Sequence, residues 1–274
     1  MQEPQYMRWL VEEKTVLNNG IPVKSYYIDY NDDPEVLDDW ALHIRRHYIS
    51  DEELSTSCEE LELSTEEYLR TFKIPQKNDK VGPTARSNTI SEILFSDLVE
   101  FVYGYTVPRV RQRNMSGKTV SEHGTDVIGY RFYNEDKKPS TKDKLVAVEV
   151  KAVLSKKDMG VFVTSTTDSS NKDAHRVSLT LDYLKNKLRM LNENDMANEI
   201  VRFQKKTVKD YDIEYVAGGM TCLKKLSSED GEKEVIIPGV DGNLLKLTSG
   251  SKIFFIHGER LMQLAHAVYE RCVK

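Results

Sequence analysis

The chain has 274 residues, of which 39% are hydrophobic and 30% charged, as in a globular protein with a sizeable core. Its longest apolar stretches, such as residues 253–256, are too short to cross a bilayer, and its first residues lack the features of a signal peptide, so we expect a cytoplasmic protein without a membrane segment. The net charge is −5, and three scattered cysteines without C-x-x-C spacing argue against a disulfide framework or a zinc site.

The first quarter of the chain predicts a small α/β unit. Residues 26–30 are typical of a strand, and residues 34–48 show a helical apolar period that begins after Asp33 as an N-cap. Ser64 opens a capping box for a short helix. The polar stretch 75–83 predicts a linker. We therefore divide the chain into an N-terminal extension, residues 1–80, and a main domain, residues 81–274.

Charge changes sign between these two parts. Residues 1–70 contain 17 acidic and 6 basic residues, a net charge of −11, whereas the remainder carries +6. An acidic first quarter beside a basic body suits a protein whose body faces nucleic acid and whose N-terminal part binds a partner. Acidic helices with solvated faces explain the same numbers, so the charge alone does not decide.

The main domain alternates helices and strands. The apolar patterns predict, in chain order, a helix at 87–103, strands at 105–113, 119–133 and 144–154, a helix near 181–191, strands at 213–222 and 252–256, and a last helix at 261–272. The core order is thus α-β-β-β-α-β. This order predicts a mixed central sheet flanked by helices.

Three acids and a lysine occur at suggestive places in this order. Glu92 lies on the first helix, Asp126 follows Gly-Thr at the start of a strand, and Glu149 and Lys151 lie in the apolar strand at 144–154. Residues two apart on a strand share a face, so Glu149 and Lys151 point the same way. Such charges are costly to bury unless a cation and a polar substrate compensate them.

Carboxylates in this pattern suit a Mg²⁺ or Mn²⁺ site for phosphodiester hydrolysis. Asp126 and Glu149 are the candidate metal ligands, with the carbonyl of Val150 as a third. Lys151 would orient or deprotonate the attacking water, since a neighbouring cation lowers the pKa of a lysine. Glu92 would hold a metal-bound water or a second ion.

Each piece alone has an ordinary explanation. Glu-x-Lys also occurs at residues 12–14 and 135–137, an isolated Gly-Thr-Asp is usually a turn, and a helical glutamate is usually solvated. The joint order of helix, hairpin and strand favours the catalytic interpretation.

This pattern resembles the PD-(D/E)XK nuclease superfamily, whose restriction-endonuclease-like core has the order α-β-β-β-α-β. In that resemblance Asp126 takes the Asp position, Glu149 and Lys151 the (D/E)-x-K positions, and Glu92 the helix acid, over roughly residues 86–192. Asp126 follows a threonine where the superfamily pattern has proline.

Within the superfamily, the chain resembles the HamA nuclease subunits of Hachiman anti-phage defence systems. The resemblance rests on residues 91–98 (SEILFSDL), 123–129 (HGTDVIG) and 146–152 (VAVEVKA). It implies a deoxyribonuclease that works with a HamB-like helicase, which restrains it until infection.

Basic residues near the predicted site suggest a DNA path. Arg109, Arg111 and Arg113 alternate along one predicted strand, and Lys118 follows. Such residues bind phosphates without reading sequence. A charged edge strand that resists aggregation would look the same.

Other chemistries find less support. His43 and His47 lie one helical turn apart but have no third zinc ligand, and the chain has no phosphate-binding loop for ATP. Two functions therefore remain: an active Mg²⁺-dependent DNA nuclease, or a catalytically silent subunit of similar fold that docks on DNA or a helicase.

Overall fold

A computed structural model of the chain describes residues 2–120, 124–171, 174–205, 210–227 and 233–274. Eight α-helices can be assigned in these ranges: α1 Pro34–Tyr48, α2 Asp51–Leu61, α3 Thr65–Tyr68, α4 Gly82–Asp97, α5 Gly160–Ser170, α6 Ala174–Met190, α7 Asn194–Gln204 and α8 Leu261–Arg271. The strands in the same ranges are β1 Leu10–Val16, β2 Pro22–Ile28, β3 Val127–Arg131, β4 Lys144–Val153, β5 Asp212–Cys222, β6 Val235–Ile236 and β7 Lys252–Gly258.

All seven strands of the described residues form one mixed sheet, in the order β3-β4-β5-β7-β2-β1-β6. The central strands β4, β5, β7 and β2 run parallel, and β3 and β1 pair antiparallel to β4 and β2. Helices cover both faces of the parallel centre, as such sheets require. The prediction of an α/β fold with a mixed, helix-flanked sheet is confirmed.

Local signals in the sequence fix the N-terminal helices. The side chain of Asp33 accepts a hydrogen bond of 3.1 Å from the backbone of Glu35 and caps α1, whose first residue is Pro34. Ser50 and Ser64 form capping boxes at α2 and α3. The helix predicted at 34–48 and the capping box predicted at Ser64 are thus confirmed.

Strand β4 separates two parts of the core. Val146, Val148 and Val150 pack into the cluster that includes α4, whereas Leu145 and Ala147 pack into a second cluster with α6 and α7. Burial of a valine side chain is worth roughly 1.5–3 kcal/mol relative to exposure. The alternation predicted for β4 is therefore confirmed. The same alternation places the odd-numbered side chains further along the strand on the face of the sheet opposite to the valines.

The strand predicted at 105–113 is wrong. Residues 109–114 form turns, and Thr106 makes only an isolated bridge to Tyr130 of β3. The second predicted strand, 119–133, is reduced to β3, although its residues 121–123 lie outside the described ranges. Within the described residues two strands, not three, lie between α4 and α5.

The two units predicted to meet at residue 80 share one sheet. Strand β2 pairs with β7, near the end of the chain, and α1 packs against α8. The division into residues 1–80 and 81–274 therefore does not separate two sheets. No helix among the described residues is long and apolar enough to cross a membrane.

Candidate metal centre

The β3–β4 pair brings two of the candidate acids together. Val127 pairs with Val148, so Asp126, one residue earlier, lies opposite Glu149 in the antiparallel register. The Asp126 carboxylate accepts a hydrogen bond of 2.8 Å from the backbone N–H of Val150. Both carboxylates are largely withdrawn from solvent. The predicted pair of metal ligands is thus placed side by side at one end of β4.

Glu92 reaches the same place from α4. It lines a cleft of about 230 Å³ together with Asp126, Val150, Lys151 and two neighbouring residues, Asn88 and Ala152. Burial raises the pKa of Glu92 to about 7, and the charges of Asp126 and Glu149 add to this, while Arg111 opposes it. The cleft is therefore lined by acidic side chains that are themselves largely withdrawn from solvent.

Lys151 lies on the same face as Glu149, as the strand period predicts. Its Nζ is 3.5 Å from Glu149 Oε1 and 2.8 Å from Asp168 Oδ2 on α5. Burial lowers the pKa of Lys151, but the hydrogen bond to Asp168 and the charges of Glu149 and Asp168 outweigh this and raise it. The lowered pKa that we predict beside a cation is not produced by the protein groups alone.

The sequence does not indicate Asp168 as a residue of the site. It lies on α5, and neither its spacing from Lys151 nor its polar surroundings in the sequence single it out. Only the packing of α5 against β4 reveals the contact. Asp168 holds the lysine amine in place.

The basic residues predicted to form a DNA path do not lie along a strand face. Arg109 Nη1 is 2.6 Å from Asp97, and Arg113 Nη1 is 2.8 Å from Glu53. Lys118 Nζ is 2.9 Å from Asp79. These side chains pair with acids of the protein itself, which lie on α4 for Arg109, on α2 for Arg113 and in the loop before α4 for Lys118. The predicted alternation of arginines along a strand face is wrong, and DNA contact by these residues stays a prediction.

Arg111 lies beside the cleft and contacts two of the acids that line it. Its Nε is 3.3 Å from Glu92 Oε2 and its Nη2 is 3.5 Å from Asp126 Oδ1. Only about 10% of the side chain is exposed. The guanidinium therefore balances part of the charge of the two acids, a role that the sequence did not indicate.

A buried polar network lies beside the cleft, around Asp97. This fully buried carboxylate accepts hydrogen bonds from Tyr6 and Arg109 and contacts His43 Nε2 at 3.0 Å. Burial favours a higher pKa for Asp97, but Arg109 and His43 hold it below its usual range. The network ties the N-terminal segment, α1 and α4 to the turn that carries Arg111.

The chemistry of the donor set fits a hard divalent cation. Two carboxylates, Asp126 and Glu149, lie side by side next to the Val150 carbonyl, and Mg²⁺ commonly takes one or two carboxylates and completes its shell with water and substrate oxygens. The cleft already attracts the cationic groups of Arg111 and Lys151. Among the described residues, no three side chains of the His, Cys, Asp and Glu types converge as a metal-binding group.

Comparison with known proteins identifies the family. The model of the HamA family matches residues 4–272. A search of curated proteins found no match. The matched range covers the sheet, the cleft and almost all of the remaining chain, and it agrees with the resemblance seen in the three short motifs. The chain therefore belongs to the HamA family, which indicates a protein of Hachiman anti-phage defence.

Proposed function

We propose that this HamA protein is a metal-dependent DNA nuclease with a core of the PD-(D/E)XK type. The observation that carries the proposal is the position of Asp126 opposite Glu149 across β3 and β4, with Lys151 3.5 Å from Glu149, beside a cleft lined by Glu92, Asp126 and Lys151. The motif order alone did not require these side chains to meet. Charged groups gathered at such cost are typical of a catalytic site.

In this proposal Asp126, Glu149 and the carbonyl of Val150 hold Mg²⁺ or Mn²⁺. The bound ion would neutralise the phosphate and the developing charge on its oxygens. Lys151 orients the attacking water, and Asp168 fixes the position of the lysine amine through the contact of 2.8 Å. Glu92 forms the opposite wall of the cleft.

The test is cleavage of plasmid DNA by the purified chain in Mg²⁺ or Mn²⁺, with an excess of EDTA as the metal-free arm. We expect Glu149→Gln and Lys151→Met each to lower the cleavage rate by roughly 100-fold or more. Glu149→Gln should keep the melting temperature of the wild type or exceed it, because it removes one of the acids that repel one another. Lys151→Met should lower the melting temperature, because it leaves Glu149 and Asp168 without their cation.

A second Glu-x-Lys in the same chain provides a matched control. Glu135 lies two residues before Lys137 in an exposed turn, so Glu135→Gln makes the same chemical change away from the cleft. It should leave cleavage unchanged. Wild-type rates in Glu149→Gln, or equal cleavage with EDTA, would contradict the proposal. DNA binding without cleavage, also in the presence of the partner, would favour the silent docking subunit.

The partner in this proposal is a HamB-like helicase, as membership of the HamA family suggests. The chain has no phosphate-binding loop, so ATP-driven sensing would come from that partner. Its acidic helices α2 and α3 expose a row of carboxylates, which suits a basic protein surface better than DNA. We propose this acidic row as the contact with the helicase.

Co-expression with a HamB-like helicase encoded beside the chain tests the partnership, if the proposed pairing holds for this gene. We expect the two proteins to purify together through a tag on either one, and Glu59→Lys combined with Glu60→Lys to weaken the complex while leaving the fold intact, because both side chains are exposed. Purification of the nuclease alone, with the same toxicity in the presence and absence of the neighbour, would refute the partnership.

A further inference from the structure

A cation of the protein itself, the guanidinium of Arg111, contacts two acids that line the cleft of the proposed nuclease. It bridges these acids, with Nε 3.3 Å from Glu92 Oε2 and Nη2 3.5 Å from Asp126 Oδ1. The side chains of all three residues are at most 15% exposed. A charged hydrogen bond between groups so withdrawn from water is stronger than its surface equivalent.

Several contacts fix this guanidinium in place. Its Nη1 donates to the carbonyl of Thr125 at 2.9 Å, and the backbone carbonyl of Arg111 accepts from Lys187 Nζ at 3.0 Å. The adjacent Gln112 donates to Glu92 Oε2 at 3.2 Å. The turn, the segment before β3 and α6 therefore hold Arg111 between the two acids, so its position is fixed by the fold.

The oxygens of Asp126 are already shared. Oδ1 faces Arg111 and Oδ2 accepts from the backbone of Val150, so each oxygen has a lone pair left for one further partner. Glu92 Oε2 faces both Arg111 and Gln112. Oε2 of Glu92 is thus occupied by donors of the protein, whereas Glu149 is one of the proposed metal ligands.

The formal charges around the cleft also limit the number of cations that it can bind. Lys151 and Asp168 are 2.8 Å apart and balance each other. The acids Glu92, Asp126 and Glu149 together with Arg111 then leave a formal charge of −2 when Glu92 is ionised and −1 when it is protonated. One divalent cation brings this charge to zero or +1, whereas a second would leave an excess of +2 or +3 at close range, which costs free energy.

We propose that Arg111 is a permanent second cation of the site, so that the cleft binds one divalent metal ion rather than two. The inference rests on the proposed function and specifies it. Arg111 is a positioning residue here: it holds Glu92 and Asp126 in their places and supplies the positive charge that a second ion would bring.

Titration of the full chain with Mn²⁺ in a calorimeter, without nucleic acid, tests the proposal. We expect one Mn²⁺ per wild-type chain. Arg111→Gln removes the charge and should raise the number to two, while Arg111→Lys keeps the charge and should retain one. Arg113→Gln is the matched control, because Arg113 pairs with Glu53 outside the cleft; it should also bind one ion.

Thermal unfolding supplies a second readout. Arg111→Gln should unfold at a lower temperature than the wild type without metal, because it leaves two nearly buried acids without their cation. Saturating Mn²⁺ should raise its melting temperature more than that of the wild type. If Arg111→Gln does not fold, the counts for the wild type and for Arg111→Lys decide the question.

Two Mn²⁺ ions per wild-type chain would overturn this inference and leave the proposed nuclease intact. A folded Arg111→Gln variant that still binds one ion would also overturn it. No binding of Mn²⁺ to the wild type would overturn both this inference and the proposed metal-dependent function.

Discussion

Replacement of Arg109 by glutamine tests whether the arginines of the segment 105–114 stabilise the fold. The guanidinium of Arg109 is 2.6 Å from Asp97 and 2.6 Å from Glu100, and its side chain is only 9% exposed. Removal of one partner of a buried ion pair costs roughly 3–5 kcal/mol. Asp97 would keep Tyr6 and His43 as partners. We therefore expect a loss near the lower end, about 3 kcal/mol.

Arg113→Gln is the matched control for this variant. Arg113 pairs with Glu53, which is 41% exposed, and exposed ion pairs contribute about 0–1 kcal/mol. For a chain of this size 1 kcal/mol corresponds to roughly 2–4 °C in melting temperature. Thermal and urea unfolding should thus show a decrease of about 6–12 °C for Arg109→Gln and of no more than about 4 °C for Arg113→Gln.

Equal melting temperatures in the two variants would refute this reasoning. The comparison also bears on the predicted DNA path, because a folded Arg109→Gln variant with weaker DNA binding and wild-type stability would restore Arg109 as a surface contact. Binding should therefore be measured on the same preparations, at two salt concentrations, since phosphate contacts depend on salt.

Two further variants test the neighbouring groups. Asp168→Asn should lower the cleavage rate roughly 10- to 100-fold with little change in melting temperature, because Asp168 positions Lys151 and is itself 42% exposed; a rate equal to the wild type would exclude this role. Burial and the neighbouring charges of His43 and Arg109 lower the pKa of His47 to about 3, so the folded protein excludes a proton that the unfolded chain takes up below about pH 6.5. As the pH falls from 6.5 to 3, His47 should thus reduce the free energy of unfolding by roughly 1.4 kcal/mol per pH unit. Urea unfolding across this window should show that the free energy of unfolding depends less steeply on pH in His47→Gln than in the wild type.

The parts of the fold that local pattern determines could be predicted from the sequence. Strand β4 was predicted at 144–154 and lies at Lys144–Val153, because a run of β-branched residues bounded by polar ones leaves little choice. Helix α1 has the predicted bounds, because Asp33 and Pro34 mark its start. The face shared by Glu149 and Lys151 followed from the same strand period.

The irregular structure of the segment 105–114 could not be predicted in this way. Arginine at positions 109, 111 and 113 has the alternation of a strand, and Val110 between them strengthens the pattern. Three partners distant in sequence decide the outcome: Asp97 and Glu92 on α4 and Glu53 on α2. Pairing of buried charges outweighed local β-propensity, which is a weak preference.

The sequence does not predict strand β1, because its charged residues are typical of a solvated segment. Glu12 and Lys14 suggest a polar segment, yet Glu13 between them is buried and its Oε2 is 2.8 Å from the buried His257 of β7. The backbone N–H groups of Leu226 and Ser227 donate to its other oxygen. A contact between residues 244 positions apart cannot be inferred from local pattern, and it explains why an apparently solvated stretch joins the sheet.

The segment 105–114 links the stability of the fold to the geometry of the cleft. Arg109 anchors the turn of this segment in the Asp97 network, and Arg111, two residues later, bridges Glu92 and Asp126 beside the cleft. The acids of the cleft repel one another, so the arrangement persists only because this turn docks with its cations in place. A change at Arg109 should therefore disturb metal binding although its side chain contacts none of the proposed ligands. Weaker metal binding by the folded Arg109 variant would show that the turn positions the groups of the cleft. A loss of stability alone would leave the metal affinity of the folded fraction unchanged.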